Sequence, residues 1–151
     1  MSRRKGRIIA FQALYSWDVS KSSLDDLLTF SWLQKDSEIQ AGTEPSEPEG
    51  SVKEERTFAS LIISGTISHI DEIDSRIESH LSASWSMDRI SRVALAILRT
   101  SVYEIIFQKG TEPRIVIDEA VNIAKDYDSD DSYKFINAIL DKIGKDEAAK
   151  S

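Results

Sequence analysis

The residues best suited to chemistry sit at the two ends of the chain. Near the C-terminal end, the run DSYKFIN from Asp131 to Asn137 sets Phe135 beside Lys134 and two residues before Asn137. If the run is helical, Phe135 lies about 100° from Ile136, at the edge of an apolar stripe. A ring that reaches the surface beside a cation and an amide suits single-stranded RNA. The ring stacks on a base, the cation meets phosphate and the amide reads a base edge. At the other end, Arg3, Arg4, Lys5 and Arg7 fall within the first seven residues, and no acid precedes Asp18. The chain as a whole is acidic, with a net charge of -7. Phosphate attraction is local, however, and is screened beyond about 8–10 Å, so a basic arm on an acidic body can still bind nucleic acid. Each feature also has a plainer reading, as a solvated terminus and as a core phenylalanine. They support one another only if the two ends of the chain meet in space.

Catalysis has no comparable constellation. The aspartates of DYDSDDS (Asp126, Asp128, Asp130) open like a calcium loop, but Asp131 replaces the glycine of the sixth position and Asn137 the bidentate glutamate of the twelfth. His69 and His80 stand eleven apart with no HExxH spacing, which favours surface or internally satisfied histidines over metal ligands. A phosphate-cradling glycine loop and a GxSxG elbow are both missing. The residues therefore point to no cofactor, no metal site and no enzyme. The chain contains no cysteine, so it can build neither a disulfide framework nor a thiolate zinc site, which fits the cytoplasm. No apolar run approaches the roughly 18 residues of a membrane span, and the N-terminus has no signal-peptide block.

The elements that must position these groups read as helices throughout. Asp88 to Gln108, DRISRVALAILRTSVYEIIFQ, is the longest and most apolar periodic run. Its stripe is Ile90, Val93, Ala94, Ile97, Leu98, Val102, Ile105 and Ile106. The spacing predicts one helix of about 30 Å, capped by Ser86 and ended by Gly110 and Pro113, against which the others pack. Before it, Arg7 to Val19 predicts a first helix, with Arg3 to Arg7 as its leading edge. Cations there oppose the helix dipole, which hints that they serve another purpose. Ser22 or Ser23 caps a short helix carrying Leu24, Leu27, Leu28 and Trp32. Phe58, Leu61, Ile62 and Gly65 mark another, and Ile70, Ile73, Ile77 and Leu81 the next. Between the short helix and the one marked by Phe58, Asp36 to Ser51 is rich in Glu, Pro and Gly and reads as a mobile acidic loop. After Pro113 come RIVIDEAVNIAKDY, with Ile117, Ala120, Val121 and Ala124 inward, and a last helix from Ser132 to Lys145 on Ile136, Ile139, Leu140 and Ile143. The class is all-α, with about seven helices in one domain.

Several runs resemble the NusB family of bacterial transcription antitermination factors over nearly the full length. RRKGRIIAFQALYSWD is similar to the family's arginine-rich start and its QALYSWD-type helix, and ILRTSVYEIIF to its LR…YEL helix. PRIVIDEAVNIAKDYDSDDSYKFINAILDKI resembles the most specific run, P…INEAVELAK followed by DS-KFVNGVLD. The resemblance implies an all-α fold of two helical-bundle subdomains, residues 1–84 with the acidic loop and residues 85–151. It implies binding of single-stranded boxA-type RNA together with the ribosomal protein NusE, in an antitermination complex with RNA polymerase. Carried over to this chain, Arg3, Arg4 and Arg7, with Lys5 among them, match the arginine-rich arm. Asp131, Ser132, Lys134 and Phe135 match the RNA-facing DS-KF stretch, and Asn137 follows it. Tyr15 and Asp88 fall where contact with the protein partner or RNA is expected.

Departures from the family pattern are Ala138 in place of Gly, Ala94 where an acid is frequent near the partner surface, and the longer acidic loop. The competing reading is a helical adaptor that binds only protein, and a possible homodimer is left open. An RNA methyltransferase with a NusB-like domain is disfavoured because the chain ends at Ser151 with no catalytic domain attached.

Overall fold

The computed structural model describes residues 2–33, 50–129 and 131–150. All regular structure among them is helical. The α-helices are α1 (Arg3–Val19), α2 (Leu24–Thr29), α3 (Gly50–Ser68), α4 (Ile70–Ser79), α5 (Arg92–Tyr103), α6 (Pro113–Tyr127) and α7 (Ser132–Ala149). A further helical stretch begins at residues 31–33. The expected acidic loop lies outside the described residues except at its end, where Gly50 and Ser51 already belong to α3. No helix among the described residues is long and apolar enough to cross a membrane.

α5 is central. It packs against α1, α3, α4, α6 and α7, and every residue from Ala94 to Val102 is buried. The predicted single helix from Asp88 to Gln108 is nonetheless three pieces: a 3-10 turn at Met87–Arg89, then α5, then a π-helical turn at Glu104–Gln108. The start differs because Ser91 is the effective cap. Its Oγ accepts from Ala94 N at 3.0 Å, whereas the Ser86 side chain makes no capping bond and Ile90 is extended. At the far end, Lys109 N reaches back five residues to Glu104 O. The widened turn is of the kind that accompanies functional or strained positions.

α1 begins earlier than the periodicity predicts. Ser2 caps it through Lys5 N, so the basic arm forms the first turn of the helix. That turn holds no acid of its own to match the dipole. Glu55 on α3 takes this role, accepting from Ser2 N at 3.0 Å. Gly6 makes the approach of α1 to α3 possible, since a Cβ there would come 2.6 Å from the Phe58 ring and 3.2 Å from Glu55 O. Gly65 does the same for α3 and α5, where a Cβ would fall on the Tyr103 ring.

Two positions of the expected helical stripes differ. Leu61 is 56% exposed because Phe58, Ala59, Ile62, Ile63 and Thr66 already fill the inward face of α3. Leu81 lies beyond the end of α4 but still packs, partly buried, against the core. α2 is capped by Ser23 and stops at Phe30, whose φ of 56° is left-handed, so Trp32 falls outside it.

Candidate nucleic-acid interface

α6 ties the two predicted features together. At its first half, Glu119 accepts from Arg4 Nε at 3.0 Å. At its last residue, the Tyr127 ring meets the Phe11 ring edge-on with centroids 5.3 Å apart. Both residue numbers rise together, so α1 runs parallel to α6. α7 then starts at Ser132, a few residues after α6 ends, and folds back along it. The arm and Phe135 therefore flank opposite ends of one helix. The step from Glu119 to Tyr127 is about 12 Å at 1.5 Å per residue. A strand touching both would have to cover about this length of α6.

The four cations of the arm divide. Arg3 and Lys5 are exposed, and Arg4 is exposed beyond its pair with Glu119. The Arg3 guanidinium lies 5.4 Å from the centre of the Phe58 ring, which fixes its direction without covering its charge. Arg7 is buried. Its guanidinium donates to both oxygens of Glu104, Nε at 2.8 Å and Nη2 at 2.9 Å, and lies over the same Phe58 ring. This geometry assigns Arg7 to the interior, where it joins the second turn of α1 to the turn after α5.

At the other end, Asp131 precedes α7 and pairs loosely with Lys134 at 3.7 Å, both side chains being well exposed. Ser132 Oγ donates to Ser129 O, closing the turn. Phe135 is half-buried and rests on the core with one side of its ring against Trp85, centroids 5.6 Å apart and planes 27° apart. Asn137 is exposed but stands two residues on, about 200° around the helix. It faces the start of α6, near Pro113 and Arg114, and is not brought together with Phe135. Tyr15, 37% exposed, lies one turn beyond Phe11 on the α1 face beside Tyr127. Asp88 is exposed in the 3-10 turn, two residues from the segment that carries Trp85.

Sequence reasoning missed four members of this face: Trp85, Tyr127, Lys125 and Tyr133. Trp85 and Tyr127 are 46% and 45% exposed. Lys125 lies 4.7 Å above the Tyr133 ring, and Lys134 lies 5.9 Å from the same ring. The paired lysines put positive charge beside the Asp128–Asp131 turn. A lysine eight residues before a tyrosine, on a neighbouring helix, leaves no local mark in the sequence. Of the three departures from the family pattern, the acidic loop lies mostly outside the described residues, Ala94 is buried and Ala138 is exposed. Position 94 thus presents no outer surface, and position 138 takes no part in core packing.

Comparison with known proteins gives a consistent set of relatives. The NusB family model matches residues 4–145. The transcription antitermination protein NusB of Treponema denticola is 50% identical over 143 residues, covering 95% of this chain and 96% of that protein. Among solved structures, NusB of Aquifex aeolicus superposes with a TM-score of 0.75 at 32% identity, over 100% of this chain and 93% of that one. A crystal structure of the antitermination factors NusB and NusE in complex with double-stranded RNA superposes with a TM-score of 0.73 at 30% identity, over 95% and 96%.

Proposed function

The chain belongs to the NusB family, and from that premise we propose that it is an RNA-binding antitermination factor that works with NusE on boxA-type RNA. It acts in the cytoplasm, on transcripts leaving RNA polymerase in ribosomal RNA operons, and performs no catalytic step. The observation that carries the reading is the flanking of α6 by exposed cations on one side and Phe135 on the other. Arg3, Arg4 and Lys5 capture the backbone, and Lys134 with Lys125 holds it near the turn at Asp131. The aromatic group at the start of α7 receives a base. So few phosphate contacts give modest affinity alone, which NusE increases by extending the surface. Tyr15 and Asp88 border this face and are assigned to contact with RNA or NusE.

The test is fluorescence anisotropy with a labelled single-stranded boxA-type RNA, a scrambled strand and a duplex, each with and without NusE across a salt series. The boxA strand is expected to bind in preference to the scrambled one and to tighten with NusE. Replacing Arg3 and Arg4 with Ala removes two phosphate contacts, so the slope of log K against log salt should flatten by about 1.4. Melting should hardly change, because the one ion pair lost is at the surface. Equal, weak binding to every RNA would instead favour an adaptor that recognises only protein.

A further inference from the structure

We propose that Trp85 is a base-stacking residue of this interface, with Phe135 as the ring that backs it. The proposal rests on the RNA-binding reading above and adds to it a side chain from a segment remote in sequence. Trp85 lies between α4 and the 3-10 turn, fifty residues before Phe135. The two rings are stacked, yet 46% of Trp85 stays exposed while Phe135 is half-buried against the core. The indole is therefore the outer ring of the pair and the one that a strand on this face meets first.

Its segment is held in place. Trp85 N donates to Ser82 O at 2.9 Å, and the Ser82 and Ser84 hydroxyls are 3.2 Å apart. The Arg89 guanidinium donates to Ser84 O at 3.4 Å. Tryptophan is among the more buried residue types on average. Here nearly half of one is left in water, fixed against a second ring whose neighbour in sequence, Lys134, is an exposed cation. A rigid, wetted π-face on a surface that also carries exposed cations is the arrangement that stacks a base whatever its sequence. The competing role is a cover that merely shields Phe135. The two roles make opposite predictions for removal of the indole, because taking away a cover leaves binding unchanged or tightens it.

The experiment titrates the labelled boxA-type strand into the wild-type chain, Trp85→Ala, Trp85→Phe and the Arg3→Ala/Arg4→Ala double variant. It records anisotropy, intrinsic tryptophan fluorescence and melting temperature. Loss of one stacked base weakens Trp85→Ala by roughly 5- to 150-fold. Its melting temperature should stay near wild type, and Trp85→Phe should recover most of the affinity. RNA should quench wild-type fluorescence, and most of that quenching should be absent from Trp85→Phe, whose remaining tryptophans are Trp17 and Trp32. If Trp85→Ala binds as well as wild type while the arginine variant is weakened, the assignment of Trp85 is overturned and the RNA-binding reading stands. If quenching is equal in wild type and Trp85→Phe, the assignment is likewise overturned. If wild type binds no RNA, both fall.

Discussion

Replacing Arg7 with alanine separates an interior arginine from an RNA-binding one. Its guanidinium and the Glu104 carboxylate are joined by two hydrogen bonds, with side chains only 8% and 4% exposed. Alanine at position 7 leaves Glu104 as an unpaired charge among Phe11, Ile62, Ile97 and Ala120. Breaking a buried pair from one side costs about 3–5 kcal/mol. A chain of this size loses about 2–4 °C per kcal/mol, so the melting temperature should fall by about 6–20 °C. Thermal melts followed by circular dichroism at neutral pH measure this directly. RNA affinity measured well below the transition should stay within a few-fold of wild type. A companion variant, Arg7→Met with Glu104→Leu, removes both charges and should recover most of the loss, since apolar replacements of buried pairs are often neutral or stabilising. The reasoning fails if Arg7→Ala melts with wild type yet loses RNA affinity as Arg3→Ala/Arg4→Ala does. It also fails if the double replacement is as unstable as the single one.

Gly65→Ala should lower stability by about 1–3 kcal/mol or more, because the new Cβ overlaps a Tyr103 ring already stacked near His69 and Phe107. Melting unchanged from wild type would mean that the ring moves aside freely. Glu147 should shape the acid limb of stability. Burial raises its carboxyl pKa, but hydrogen bonds from Arg76 and Lys150 outweigh burial and hold it below the ordinary carboxylate value. A folded value below the unfolded one means the native state binds fewer protons across that range. The contribution is thus present at neutral pH and is lost as pH falls through the folded value. Glu147→Gln should melt below wild type at pH 7, with the gap closing in acid; a gap constant with pH would contradict the assignment.

Helix identity was legible because it depends on local periodicity. The stripe on α7 appears in the structure as read, with Ile136, Ile139, Leu140 and Ile143 all buried. On α6, Ile117, Ala120 and Ala124 are buried while Val121 is only partly so. Phase also placed Phe135 at the stripe edge, where the structure finds it half-buried. What remained hidden depends on pairs far apart in sequence. Arg7 looked like one more cation of the arm because its partner is 97 residues away. Glu104 sits in an otherwise apolar run, where an acid ordinarily marks the solvent side. Leu61 satisfied the helical spacing but lost the inward face to its neighbours on α3. Trp85 belongs to no periodic segment, so nothing local could show that it meets Phe135. The break before α5 turned on which of two serines bonds its helix, a choice that composition leaves equal.

The capped, Glu55-anchored first turn of α1 has a thermodynamic consequence. A basic tail that folds on its ligand incurs its ordering entropy at the moment of contact, and binding then carries the large heat-capacity change of coupled folding. Here the backbone of Arg3, Arg4 and Lys5 is already helical, bonded at Ser2 to Glu55 and Lys5. The ordering entropy of those residues is therefore a term in the folding equilibrium, absent from the association constant. Any mutation that frays this turn transfers the entropy from one equilibrium to the other, weakening RNA binding while removing no contact with RNA.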